Sequence, residues 1–234
     1  MSTLLIAHRA GTDRFPELTL DAARYSWQLG ADYCEFDIRF IQGDIPVLCH
    51  DHDARRLFGQ ALRISELTPA EFAALRYAAD QRYAPCTLDD LLRSEPAALL
   101  FHVKDGGNRL GIILDGIRKY GLEETSVLGV TTVQDVQLVK AFNPQIKVLA
   151  FMPGPDQALS FIQAGAEIIR YWEEWVHEAA VRQIHAAGRK IWVMAGLRTE
   201  EAVGYTDPAN ILAWKQMGVD GVLVNEVAKT KALL

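Results

Sequence analysis

Short apolar runs alternate with longer segments of helical period along almost the whole chain. LLIAHR precedes LTLDAARYSWQLG, YCEFDIRFI precedes the short run PVLCH, and ALLFHVK precedes NRLGIILDGIRKYG. SVLGV, KVLAFM, EIIRYW, KIWVMAG and GVLVN then alternate with TVQDVQLVKAFNP, PDQALSFIQAG, HEAAVRQIHAAG and PANILAWKQMG. Apolar residues recurring every three to four positions line one face of a helix, whereas short apolar runs bounded by turn residues read as buried strands. Main strands are expected over 3–8, 33–41, 98–104, 126–130, 147–152, 167–172, 190–196 and 221–225. Eight strands, mostly with helices between them, predict an α/β chain folded as a single (β/α)8 TIM barrel. The stretch from about 50 to 95 breaks the rhythm with a short strand, a capped helix in TPAEFAALRY and a second in TLDDLL. It is expected to be a small insertion between strands two and three of one domain spanning 1–234.

Composition narrows the function. Of 234 residues half are hydrophobic and 23% charged, enough for one large core. A formal net charge of −6 offers no basic face for nucleic acid, so a small-molecule partner is expected, with homo-oligomerisation left open. The opening MSTLLIAHRAG has too short an apolar run for a signal segment. No stretch approaches the roughly 20 apolar residues of a membrane span, so no stable membrane insertion is expected. Cys34, Cys49 and Cys86 are odd in number and match no zinc or redox spacing. Free thiols in a reducing, cytoplasmic setting are the expectation.

In such barrels the active site is built at the C-terminal ends of the strands. Strand one ends in His8-Arg9, strand two carries Glu35 and Asp37, the next short strand ends in His50-Asp51, and strand three ends in His102 and Lys104. Glu35 and Asp37 stand two apart and so share a strand face, where two carboxylates repel unless a cation or a proton lies between them. A divalent metal is one solution; pairing with Arg9 or Arg39 is the other. His8 and His50 arrive from separate segments at one rim and have the near-neutral chemistry of a general acid and base, although either alone suits a structural role. Arg9 and Lys104 supply positive charge suited to a phosphoryl group.

These motifs resemble the glycerophosphodiester phosphodiesterase family, whose pattern runs HR-G, PENT, GA-x-x-x-E-x-D and P-V-x-x-HD. The chain has AHRAG, PELTLDAA, GADYCEFDIRF and IPVLCHD in that order. ISELTPAEFAALR, CTLDDLL and GVDGVLVN resemble later family segments, while 106–188 aligns by strand order alone. The resemblance implies a hydrolase that cleaves a glycerophosphodiester to glycerol phosphate and an alcohol. It makes His8 and His50 the acid/base pair, Arg9 and Lys104 the phosphoryl contacts, and Glu35 and Asp37 ligands of a divalent ion, usually magnesium or calcium. Leu18 stands where the family has the Asn of PENT, and His102 where it has the Glu of E-x-K.

Three consequences of that last change compete. His102 ligates the metal, which suits manganese, zinc, iron or cobalt better than calcium. Alternatively Glu173 or Asp105 supplies the third ligand, or the barrel is catalytically weakened and binds phosphorylated small molecules. Trp172 and Trp192 end strands and are candidates for the alcohol pocket, Trp192 being taken as substrate-binding, with core packing as the alternative. Arg170 points either toward phosphate or to an acid inside the barrel. Arg55 and Arg56 resemble the arginine after the family's HD element, His52 reads as a loop residue, and His177 and His185 as structural or solvated.

Overall fold

A computed structural model of the chain describes residues 3–234. Among these, nine strands form one sheet: β1 (Leu4–Ala7), β2 (Tyr33–Ile41), β3 (Ile45–Leu48), β4 (Leu99–Val103), β5 (Ser126–Val130), β6 (Lys147–Ala150), β7 (Ile168–Trp172), β8 (Lys190–Met194) and β9 (Gly221–Val224). Eight run parallel in the order β1-β2-β4-β5-β6-β7-β8-β9, and β9 pairs back with β1, which closes the ring. The (β/α)8 barrel is thus borne out. β3 lies outside the ring, antiparallel on the far half of β2. Around it stand α1 (Leu20–Gln28), α2 (Arg55–Phe58), α3 (Pro69–Ala74), α4 (Leu88–Arg93), α5 (Leu110–Lys119), α6 (Val133–Phe142), α7 (Ala158–Ala164), α8 (Glu178–Ala186), α9 (Pro208–Met217) and α10 (Val227–Lys231).

The strands are apolar on both faces because each is covered twice, by helices outside and by side chains within. The outer core joins Leu5, Phe36, Phe101 and Leu128 to Leu114, Val136, Ile184 and Trp214 of the helices. The inner core holds Ile6, Leu100, Val127, Leu149, Ile168, Trp192 and Leu223. Since successive strand residues alternate faces, the inward residue two further along belongs to the barrel mouth. That step leads from Ile6 to His8, from Leu100 to His102, from Ile168 to Arg170 and from Leu223 to Asn225.

Side chains fix the helix starts. Thr19, Thr87, Thr132 and Asp207 each accept a hydrogen bond from a backbone N–H of the first turn of α1, α4, α6 and α9, satisfying donors that have no partner inside the helix. The segment between β3 and α4 has its own small core, in which Val47, Cys49, Phe58, Ile64, Phe72 and Tyr77 are buried. The helix expected across TPAEFAALRY stops at Ala74, because Leu75 turns extended and is buried with that core. Tyr77 packs edge-on against Phe58 and donates its hydroxyl to the carbonyl of Glu17, which ties the segment to the barrel rim. No helix of the described residues is long and apolar enough to cross a membrane.

Candidate active site at the barrel mouth

The mouth begins with a strained turn. After β1 the chain passes through Arg9 (φ 49°), Ala10 (φ 68°) and Gly11 (φ 83°), and Leu18 returns at φ 60°. Each non-glycine residue held there costs about 1–2 kcal/mol. The turn aims the Arg9 N–H at Glu35, whose Oε2 accepts at 2.8 Å, and lets the Arg9 carbonyl accept from Leu18 N at 2.8 Å. Leu18 is fully buried. An apolar side chain therefore occupies a left-handed position that asparagine tolerates better.

Glu35 and Asp37 are both 1% exposed and project into the barrel from β2. His102 Nδ1 and Lys104 Nζ each lie 3.0 Å from Asp37 Oδ1, and Arg9 Nε lies 3.8 Å from Oδ2. Arg9 Nε is too distant for a hydrogen bond and His102 and Lys104 are not aligned for one, so both buried oxygens of Asp37 have charge partners and no directed donor. Buried polar atoms in that state call for a ligand or ion. Glu35, Asp37 and His102 bring one ligand atom each within 4.8 Å of one another, two oxygens and a nitrogen. The residues fit a divalent cation, because it would satisfy the orphaned oxygens and relieve the repulsion between the carboxylates. Burial and the neighbouring Asp37 charge push Glu35 well above the usual carboxylate range. Burial acts the same way on Asp37 but is outweighed by Lys104 and His102, which hold it well below. Burial and Lys104 lower His102 to about 3, so its ring is neutral at physiological pH, the form in which imidazole ligates metal.

The other acids weighed for that position are engaged elsewhere. Glu173 accepts from Gly196 N at 2.6 Å and from Asn210 Nδ2 at 2.7 Å. Asp105 pairs with Arg39 at 3.1 Å on the rim. The His102 ring is stacked on Phe151, with centroids 3.7 Å apart and planes 13° from parallel. Phe151 reaches that position because Gly129 lies beside His102 on β5; a Cβ there would stand 2.3 Å from Phe151 Cε2. A glycine inside a strand marks such a close approach.

His8 and His50 line the same cavity as the metal-type cluster, with about 90 Å³ of free volume between them. His8 Nδ1 lies 2.7 Å from Asn225 Oδ1, while Asn225 Nδ2 donates to the carbonyl of Val203 at 2.8 Å. The second bond orients the amide, so Oδ1 faces the ring and Nδ1 carries the proton, leaving the Nε2 lone pair free. Burial and then Arg9 lower His8 to about 3. Gly204 (φ +83°) closes on Asn225, where a Cβ would meet its amide at 2.3 Å. His50 Nδ1 lies 2.8 Å from Asp51 Oδ1, and Arg56 Nε donates to Asp51 Oδ2 at 2.7 Å. Burial opposes ionisation of Asp51, yet His50 and Arg56 hold its carboxyl well below the usual range. Arg9 is bound by Glu17 and by Glu200, a residue of the segment after β8, and Arg56 meets both as well. Burial pulls Arg9 down, but Glu200, Glu17 and Asp37 outweigh it and keep it firmly charged.

Seven of the eight residues singled out in the sequence line this mouth: His8, Arg9, Glu35, Asp37, His50, His102 and Lys104. Trp192 is a correction. Its ring packs 5.4 Å from Tyr33, is 2% exposed, and lines a depression with Leu4, Lys147 and Ile168 at the opposite end of the barrel. It stands mid-strand in β8, and the inward residue at the mouth is Met194, two positions on. Trp172 and Arg170 do line the mouth. Asn225, Glu200 and Phe151 were not singled out. The GVLVN pattern would have reached Asn225, because it continues the inward phase of β9. His52 and Arg55 are exposed, His177 caps α8 by accepting from Ala180 N, and His185 pairs with Asp220 at 2.8 Å, all away from the site.

The class this fold and site define is a (β/α)8 barrel with carboxylates, imidazoles and cations gathered at its C-terminal mouth. Residues 8–105 match the model of the Glycerophosphoryl diester phosphodiesterase family. The resemblance to the glycerophosphodiester phosphodiesterases read from its motifs is borne out. It is similar to human glycerophosphodiester phosphodiesterase 1, with 40% identity over 77 residues, 33% of this chain and 23% of that protein. The matched stretch thus spans about a quarter of that relative's length. The glycerophosphodiester phosphodiesterase of Caldanaerobacter subterraneus subsp. tengcongensis is 24% identical over 160 residues, covering 63% of this chain and 66% of that one. Among solved structures, an Oleispira antarctica phosphodiesterase in complex with the product sn-glycerol-3-phosphate superposes with a TM-score of 0.85. Its identity is 18%, with 98% of this chain and 96% of that chain covered, a likeness of fold.

Proposed function

We propose that the protein hydrolyses a phosphodiester of the glycerophosphodiester type to glycerol phosphate and an alcohol. The observation that carries this reading is the Asp37 carboxylate, buried with no directed donor, beside Glu35 and His102 and under two histidines held by different partners. Glu35, Asp37 and His102 would hold the divalent ion. When bound, such an ion polarises the phosphoryl group and offsets its developing charge. Two oxygens and one nitrogen favour manganese, zinc, iron or cobalt over magnesium or calcium.

The chain's own groups supply the rest. Lys104 and Arg9 hold phosphoryl oxygens, Lys104 as a point charge and Arg9 through its planar fork. His8, neutral and bonded through Nδ1 to an amide, has the Nε2 lone pair to accept a proton from the attacking oxygen. His50, whose Nδ1 faces the ionised Asp51, suits delivery of a proton to the leaving alcohol. These roles rest on the partners of the two rings.

The test is turnover of glycerophosphoethanolamine, glycerophosphocholine and bis(p-nitrophenyl) phosphate with magnesium, calcium, manganese, zinc and cobalt. Activity is expected with at least one ion, and His8→Ala and His50→Ala should each lower it about 10²- to 10⁴-fold. No turnover from folded protein with any ion refutes the reading. One contact favours a second reading, a barrel that binds phosphorylated molecules without cleaving them: Lys104 already stands 3.0 Å from Asp37, a cation in the metal's neighbourhood. It predicts stabilisation by sn-glycerol-3-phosphate without turnover.

A further inference from the structure

Arg170 is the cation of the mouth that the proposed hydrolysis leaves without a task. It projects inward from β7, is 5% exposed, and lines the same cavity as His8 and Asp37. Among the described residues no carboxylate pairs with it, and its Nε and Nη1 are buried without a hydrogen-bond acceptor. Its contacts are aromatic: Cζ lies 4.4 Å from the Trp172 ring, 5.3 Å from Phe151 and 5.7 Å from Trp175. Burial and then the nearby Arg198 lower it to about 9, which leaves it mostly charged at neutral pH. Arg198 is itself neutralised by Glu174 at 2.6 Å. A buried guanidinium with unsatisfied donors is costly unless an anion completes it.

Position says which anion. In the ring of eight strands β7 stands opposite β2, the strand of Glu35 and Asp37. Phe151 stands between the two regions, 3.7 Å from the His102 ring on one side and 5.3 Å from the Arg170 Cζ on the other. A diester whose phosphoryl group is held by Lys104 and the metal-type cluster would reach Arg170 with the ester arm directed toward β7. We propose that Arg170 forms a second anion subsite, which selects diesters whose alcohol half carries a carboxylate or a phosphate. The proposal rests on the hydrolase reading above and names its substrate class. A cationic choline end would meet the guanidinium unfavourably, whereas an oxyanion would accept from its planar fork.

Glycerophosphoserine and glycerophosphoethanolamine differ by one carboxylate, and glycerophosphoglycerol phosphate and glycerophosphoglycerol by one phosphate. The expected result is a kcat/KM at least 10-fold higher for the anionic member of one pair, which also identifies the anion. Arg170→Gln should bring that ratio near one while changing the neutral member less than 3-fold, and Arg170→Lys should restore part of it. A ratio near one in the unaltered protein overturns the proposal. So does an equal loss on all substrates in Arg170→Gln, which would put Arg170 on the scissile phosphoryl. If no diester turns over, the hydrolase reading fails separately, and binding decides the subsite by calorimetry with phosphoserine against phosphoethanolamine and glycerol bisphosphate against glycerol phosphate. At least 10-fold tighter binding of one anionic member, lost in Arg170→Gln, supports it; equal binding within both pairs overturns it.

Discussion

Replacing Asn225 by aspartate tests whether His8 is the general base, because it changes one atom of the ring's partner and adds one charge. Asn225 Oδ1 lies 2.7 Å from His8 Nδ1, which sets the charge centres of imidazolium and carboxylate about 4 Å apart. With an effective dielectric near 20 their attraction is about 4 kcal/mol, and at about 1.4 kcal/mol per pH unit this raises the pKa by about 3. His8 would move from about 3 to about 6. A base must be unprotonated to accept, so activity is lost as pH falls through its pKa. The acidic limb of kcat/KM that His8 controls should therefore lie below about pH 5 in the unaltered protein and near pH 6 in Asn225→Asp. Metal occupancy is followed in parallel, so that loss of the ion at low pH is not read as titration of the base. An acidic limb that does not move, in a variant that folds and binds metal equally, refutes the assignment of His8. The same change takes the donor from the Val203 carbonyl, at a stability cost of about 1–3 kcal/mol.

Trp192→Ala should lower stability by about 3–5 kcal/mol, seen in denaturant unfolding, with KM unchanged, because the ring packs in the core at the end of the barrel opposite the mouth. Burial raises the thiol of Cys34 well above its ordinary value, Cys49 to about 12 and Cys86 to about 11. A thiol reagent at pH 8 should therefore label none of the three in the native protein within minutes and all three in denaturant. Glu200 is 37% exposed and pairs with Arg9, so under the proposed function it would compete with a phosphoryl oxygen for that guanidinium. Glu200→Gln should lower KM about 2- to 5-fold, the equivalent of up to about 1 kcal/mol for a pair of that exposure. An unchanged KM would mean that Arg9 does not reach the substrate.

The site was legible where chemistry and strand phase coincide. Glu35 with Asp37 and His102 with Lys104 show the two-residue spacing of a shared face, and the motif order joined them to His8 and His50 across distant segments. Trp192 marks the limit of that reading. An aromatic near the end of an apolar run looks like a rim residue, yet β8 runs two residues beyond it, and the step of two assigns Trp192 to the layer beneath. Asn225 was hidden for the opposite reason, standing just past β9 in a segment that reads as closing barrel structure. Glu200 and Phe151 act through contacts between distant segments, and no local pattern announces them. Asp105 and Glu173 compete with His102 in sequence; the fold separates the three by bringing a ring nitrogen of His102 beside Glu35 and Asp37 and engaging the two acids elsewhere.

His102 is proposed to complete a mixed oxygen and nitrogen metal site with Glu35 and Asp37. The most direct measurement is a crystal structure of the manganese- or cobalt-loaded protein with anomalous data at the metal edge. One ion is expected at the barrel mouth, bound by oxygens of Glu35 and Asp37 and by a ring nitrogen of His102 at about 2.0–2.3 Å. An ion bound without His102, or an active protein with no ion among these three residues, would contradict it.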